Sequence, residues 1–337
     1  MKNLVAGLLL LLPLFAFAKE NPYAKIDKYA ASIGYLSSDE LAKTLTAPYT
    51  SDSEKVRSIF YWITQHISYD FYEYHHPTIE GYSLDDDEDS VKAEDAFYER
   101  YAEKVLKKKM GICEGYSTLF KLLCDKAHIT CIKISGHSKA SVEEIGQPFY
   151  EDHSWNAIKI NGGWKLIDAC WASGNSDNTN TKFTKKYDDY YYCTPPCMFA
   201  LNHYPTDSSL LFITEPLSKI DFINYPAIHS ENKLIVLEKF SPLNGKINAR
   251  IGDTLRFELT VRSGSDSVSK KYGSFITEFD VTGKILSPYS RLEKLQHFKT
   301  ENNKIYYDYK VWNNKITKLC LLYNNNYLLS YRLVVQK

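Results

Sequence analysis

Seven cysteines punctuate this chain (113, 124, 131, 170, 193, 197 and 320), and Cys113 has the setting of a reactive one. It stands where an apolar helical pattern begins, and a helix N-terminus offers unpaired N–H groups and a positive dipole end to the thiolate, the reactive form. Position alone does not make a nucleophile, because cysteine is also among the most buried residue types. A hairpin supplies the context. Ser154 to Ile160 and Gly163 to Asp168 flank Asn161-Gly162, the strongest two-residue turn signal. Ile160 then pairs with Gly163, and counting outward places His153 opposite Cys170 with Asp168 as its diagonal neighbour. Side chains alternate along a strand, so His153 and Asp168 share a face, where the carboxylate can orient the imidazole. A thiol, a base and a residue that orients the base are the parts of nucleophilic acyl chemistry.

The elements that must position these residues are legible from periodicity. Ser51 to Ile67 reads as a core-facing helix, with Val56, Ile59, Phe60, Ile63 and Ile67 at helical spacing behind capping serines. Phe71 to Ser90 loses that periodicity, and its acidic run Asp85 to Asp89 suits a surface excursion that could gate a groove. Ala93 to Lys109 returns to helical composition until Gly111 breaks it. Glu114 to Asp125 repeats Tyr116, Leu119, Phe120 and Leu123 along one face, and Ile129 to Ser135 reads as a strand before the hairpin. Helices followed by a meandering sheet predict an α+β domain over residues 19–225. Past Pro226, apolar runs recur at Lys233 to Phe240, Thr254 to Val261, Ser274 to Val281, Lys304 to Val311, Ile316 to Tyr323 and Tyr327 to Val335. Residues 226–337 are therefore expected to form an all-β, immunoglobulin-like sandwich.

The chain of 337 residues carries 41 basic and 41 acidic side chains. That balance leaves no net field to draw in a polyanion, so nucleic acid is not an expected partner. Lys2, the apolar run Leu4 to Phe17 and the ending Ala16-Phe17-Ala18 read as a secretory signal cleaved near Ala18. The expected location is secreted or periplasmic, with no stable membrane insertion after cleavage. In an oxidising compartment an odd cysteine set leaves a free thiol. Cys124 and Cys131 flank a helix-to-strand turn as a bridge or as core thiols. Cys193-Thr-Pro-Pro-Cys197 with His203 has metal-capable residues but not a zinc spacing, which favours a local disulfide or packed thiols. The pair His75-His76 beside Pro77 reads as an exposed loop. No metal and no cofactor is expected.

Three blocks carry a family resemblance. Gly111-Ile-Cys113-Glu-Gly115-Tyr116, His153-Ser-Trp155-Asn156-Ala157 and Trp164-x-Leu166-Ile-Asp168-Ala-x-Trp171 resemble the Cys, His and Asp blocks of the transglutaminase-like superfamily, in order and spacing. Trp62-Ile-Thr-x-x-Ile67-x-Tyr69-Asp70 and Asn202-His203-Tyr204-Pro205 are similar to flanks in its kyphoscoliosis peptidase branch, so the likeness runs from about Ser51 to Leu211. The resemblance implies a papain-like thiol fold in which His153 deprotonates Cys113, the thiolate attacks an amide carbonyl, and Asp168 fixes the imidazole tautomer. Water would then release a thioester by hydrolysis and an amine would release it by transamidation; the expected substrate is a peptide or protein, including those of the cell envelope. The oxyanion needs a donor beyond the Cys113 N–H, for which Trp62 and Gln65 are candidates. Tyr116, Trp155 and Trp171 are further candidates for the groove wall. The alternative is a catalytically silent envelope scaffold that binds through the groove and the sandwich, against which the joint presence of Cys113, His153 and Asp168 argues.

Overall fold

The computed structural model describes residues 21–77, 90–177, 179–229, 235–263, 274–279, 296–301, 303–323 and 326–336. The apolar run Leu4 to Phe17 and the acidic run Asp85 to Asp89 lie outside the described residues.

Six helices come first: α1 Ala24–Ser32, α2 Ser38–Thr46, α3 Asp52–His66, α4 Phe71–His75, α5 Ser90–Lys108 and α6 Cys113–Lys126. Ser51 caps α3, its side chain accepting from the Glu54 N–H and donating to the Glu54 carboxylate. The predicted stripe on α3 is realised, with Val56, Ile59, Phe60 and Ile63 all fully buried. Each such side chain withdrawn from water contributes about 1.5–3 kcal/mol before chain entropy is charged against it. The α6 stripe of Tyr116, Leu119, Phe120 and Leu123 is buried in the same core.

Arg57, on α3, ties this helical layer together. Its guanidinium donates to both Asp27 oxygens at 2.6 and 2.8 Å and to Asp189 at 2.5 Å, with the Tyr23 and Tyr192 rings 4.5 and 4.6 Å from its centre. Fully buried, it needs these partners, since an unpaired interior cation is prohibitive.

The segment that presents Cys113 is pinned on both sides. The helix α5 ends at Lys108, one residue short of the predicted Lys109. Lys109 adopts φ +61° and turns the chain out, and Gly111 enters a short strand. That strand, β2 Met110–Gly111, pairs in parallel with β1 Ser68–Tyr69, through Ser68 N–H to Lys109 O and Asp70 N–H to Gly111 O. Gly115 then lets the first turn of α6 press on α5, because a Cβ there would come within 2.9 Å of Val105 Cγ2.

The sheet is antiparallel, built from β3 Cys131–Ser138, β4 His153–Ile160, β5 Gly163–Ile167 and an edge strand His203–Pro205 beside β3. The hairpin register follows the prediction from Ile160–Gly163 to Asn156–Ile167, around a turn with φ +51° at Asn161 and +76° at Gly162. The ladder stops there, which corrects the expected His153–Cys170 pairing. Beyond Ile167 the chain leaves the sheet, Asp168 caps a one-turn helix α7 Ala169–Ser173, and Cys170 lies on that helix.

After Pro226 every described element is a strand. One sheet orders Ile235–Ser241, Thr254–Ser263, Lys304–Lys310 and Gln296–Glu301; the other orders Lys246–Arg250, Asn326–Gln336, Lys318–Tyr323 and Ser274–Phe279. Phe257, Leu259 and Tyr307 of the first share one core with Leu321, Tyr331 and Leu333 of the second. The strands Lys246–Arg250 and Gln296–Glu301 were not predicted. The first is short and offers only Ala249 fully to the core, so its hydrophobic alternation is weak.

Candidate active site

Cys113 is the first residue of α6 and half-buried. The first helical hydrogen bond is Tyr116 N–H to Ile112 O, and no side chain caps this end. The early N–H groups and the helix dipole are therefore available to an anion at Sγ. The Asp152 carbonyl lies 3.9 Å from Sγ, so the residue preceding His153 touches the thiol directly.

His153 opens β4 and is 6% exposed. Its Nε2 lies 2.7 Å from Asp168 Oδ2, and Cys113 is close enough to act on the ring's titration. With Nε2 committed to Asp168, Nδ1 is the nitrogen left for the thiol. Asp168 is buried and held at three further points: its Oδ1 accepts from Trp171 N–H at 2.9 Å, its own N–H donates to Tyr191 O at 3.0 Å, and its Oδ2 accepts from a second imidazole, His203 Nε2, at 3.0 Å. The structure thus brings Cys113, His153 and Asp168 together, and the reason is local. Asp168 reaches His153 because a helix-capping carboxylate is fixed by the turn it caps.

The electrostatics follow from this packing. Burial works against a charged His153 ring, yet the Asp168 charge, its hydrogen bond and the nearby Cys113 hold the imidazole up at about 10. Asp168 is likewise buried, and the two imidazoles hold its carboxyl well below the usual carboxylate range. His203 goes the other way, with burial pushing it down to about 4 in spite of Asp168. Beside the site lies a cavity of about 710 Å³ reached by Asp152, His153, Cys170, Trp171, Tyr69 and Tyr150.

The remaining expected residues separate. Trp171 lines the cavity, its ring 5.3 Å from that of His153. Trp62 is corrected as an oxyanion candidate, since it is fully buried, its Nε1–H is spent on Ile33 O at 2.9 Å and its ring stacks on His66. Tyr116 is corrected as a groove residue, being 1% exposed with its hydroxyl on Ile67 O. Trp155 is 1% exposed and packs behind the site against Phe199 and His203. Gln65 donates to Thr64 Oγ1 at 3.3 Å on α3 and does not line the cavity. All seven cysteines are free thiols, and burial pushes the Cys170 thiol well up.

Two residues escaped sequence reasoning. Tyr69 lines the cavity beside Gly111, and burial, then the nearby Cys170 and Cys113, raise its phenol far above the ordinary range, so it stays a neutral donor. His203 was weighed only with Cys193 and Cys197, whereas the structure places it on Asp168. Its signal was the Asn202-His203-Tyr204-Pro205 block. Among the described residues, His153, Asp168 and His203 have ligand atoms within 4.8 Å of one another, so they could close on a small cation only by giving up the His153–Asp168 hydrogen bond.

The part of the chain that holds this site is similar to known proteins. Residues 39–169 match the family model of the transglutaminase-like superfamily, a span that includes Cys113, His153 and Asp168. Human kyphoscoliosis peptidase is 32% identical over 205 residues, covering 60% of this chain and 28% of that protein. Hillarin of Drosophila melanogaster is 25% identical over 224 residues, covering 62% of this chain and 25% of its own length. The chain thus spans little more than a quarter of these relatives. Among solved structures, a putative cysteine protease from Cytophaga hutchinsonii shares 20% identity over 43% of this chain and 42% of that one, at a TM-score of 0.25. Residues 39–169 thus match the transglutaminase-like superfamily, and the chain is similar in sequence to kyphoscoliosis peptidase.

Proposed function

We propose that the chain is an exported cysteine enzyme acting on peptide or protein amide bonds through a thioester at Cys113. The observation that carries the reading is the 2.7 Å contact of His153 Nε2 with a buried Asp168, with Cys113 at a helix N-terminus against the Asp152 carbonyl that precedes His153. His153 takes the thiol proton; the resulting imidazolium is stabilised by Asp168 and the thiolate by the first turn of α6. Sγ attacks the amide carbonyl, and the oxyanion gathers at the unpaired N–H groups of that turn. His153 then returns its proton to the departing amine, leaving the acyl group on Sγ. Water activated by the same imidazole releases the acid; an amine in its place yields a new amide. We favour hydrolysis.

Domain limits at 19–225 and 226–337, an immunoglobulin-like topology for the strand-rich part, and cleavage near Ala18 complete the proposal. The two sheets sharing one core support the second, and the apolar run Leu4 to Phe17 supports the third. The test of the chemistry is the pH dependence of iodoacetamide alkylation, mapped by mass spectrometry in wild type and His153→Ala. Selective labelling of Cys113 well below the ordinary thiol pKa of about 8.5, lost in the variant, supports the enzyme. An inert Cys113 overturns it and turns the search to partners bound by the groove and the sandwich.

A further inference from the structure

The geometry points to His203 as a positioning residue: the side chain that holds the Asp168 carboxylate in the one orientation from which it can hold His153 against Cys113. The inference rests on the catalytic reading of Cys113, His153 and Asp168. Asp168 Oδ2 is shared between two imidazoles, 2.7 Å from His153 Nε2 and 3.0 Å from His203 Nε2, while Oδ1 is taken by Trp171 N–H. A carboxylate anchored through Oδ1 alone could swing about that bond; the second imidazole closes the remaining freedom.

His203 is itself immobile. It has no exposure, stacks on Phe199 at 4.1 Å, meets Trp171 at 4.6 Å and has Nδ1 2.7 Å from the Asn202 carboxamide oxygen Oδ1. It is delivered there by the edge strand, whose approach to β3 is so close that a Cβ on Gly136 would overlap the Tyr204 carbonyl. The titratable groups acting on it are Asp168, His153 and Asp152, and burial outweighs the carboxylates, so the ring is neutral. A neutral imidazole has one donor and one acceptor. The ionised Asp168 claims the donor, so Nε2 carries the proton. The result is a relay of orientation, His203 to Asp168 to His153, that ends at the thiol. Only its last two members belong to the expected triad.

The full chain is tested as His203→Phe, which keeps the ring and its stacking but removes the donor, and as His203→Gln, whose amide can donate again. Two readouts separate the questions. In the first, iodoacetamide alkylation of Cys113 at neutral pH falls about 10- to 100-fold in His203→Phe, the size carried by loss of an outer hydrogen-bond partner. Its pH midpoint moves toward that of an ordinary thiol, and His203→Gln recovers most of the rate. A packing role predicts the reverse ranking, with the phenylalanine variant unchanged and the glutamine variant impaired, and that result overturns the proposal. The second readout does not need an activated thiol: downfield imidazole N–H proton resonances. Wild type should show two that vanish together in Asp168→Asn, with His203→Phe deleting one and shifting the other. If wild-type Cys113 titrates as an ordinary thiol, the enzyme reading fails by itself, and the resonances still decide the role of His203. An unshifted second resonance refutes it.

Discussion

Replacing Asp168 by Asn tests the electrostatic account of the site most sharply. The substitution keeps shape but removes the charge that holds His153 at about 10 and turns one acceptor into a donor facing two imidazole N–H groups. Asp168 is 1% exposed, so water cannot replace what is lost. Breaking a buried pair from one side costs about 3–5 kcal/mol, which sets the expected loss of stability. The loss must also depend on pH. His153 has a folded pKa above its unfolded value of 6.5, so its contribution is complete below about pH 6.5 and fades as pH rises toward 10. Asp168 is depressed, so its contribution is present above its ordinary value of 3.8 and lost in stronger acid. The difference in unfolding free energy between wild type and Asp168→Asn, from urea titrations, should therefore be largest between about pH 4 and 6.5 and shrink toward pH 10. Alkylation of Cys113 in the folded variant should fall by about two orders of magnitude, because the imidazole is freed to adopt the wrong tautomer. A stability difference that stays level or grows from pH 6.5 to 10, or an unchanged alkylation rate, refutes the reasoning.

Arg57→Met should destabilise by about 3–5 kcal/mol, chiefly by stranding the buried Asp27, whereas Asp189→Asn should cost less than about 1 kcal/mol because that carboxylate is 47% exposed. Adding Asp27→Asn to Arg57→Met should recover stability, and strict additivity in a urea-denaturation cycle would contradict the pairing. Trp62→Phe should cost about 1–3 kcal/mol by orphaning the Ile33 carbonyl, yet leave alkylation of the folded protein unchanged; a large rate loss at preserved stability would return Trp62 to the active site.

How much was legible follows the range of the forces involved. The stripes on α3 and α6 were visible because burial imposes a helical period, and both stripes are buried. The hairpin register was visible because Asn161-Gly162 fixes it within two residues. The end of α5 was visible to within one residue, but the pairing of β2 with β1 across some forty positions was not. Helices α1 and α2 were missed for the same reason. Both are short, and α1 is fastened by Asp27 to Arg57, thirty residues away.

The site divides along the same line. Two of its members come from one hairpin and were found by counting, although the count named the wrong cause. Asp168 meets His153 because it leaves the ladder to cap α7, and a capping carboxylate has its direction set by the turn. His203 comes from an edge strand 35 residues beyond Asp168, placed by its pairing with Ser138 and by the absence of a side chain at Gly136. No local pattern encodes that meeting. Beside Cys193 and Cys197 the histidine resembles a metal ligand, and only the fold reveals that its partner is the carboxylate already committed to His153. Residues that hold a catalytic group in place are chosen by three-dimensional proximity and need no fixed spacing from it, which is why the orienting layer of the site was the part hidden from the sequence.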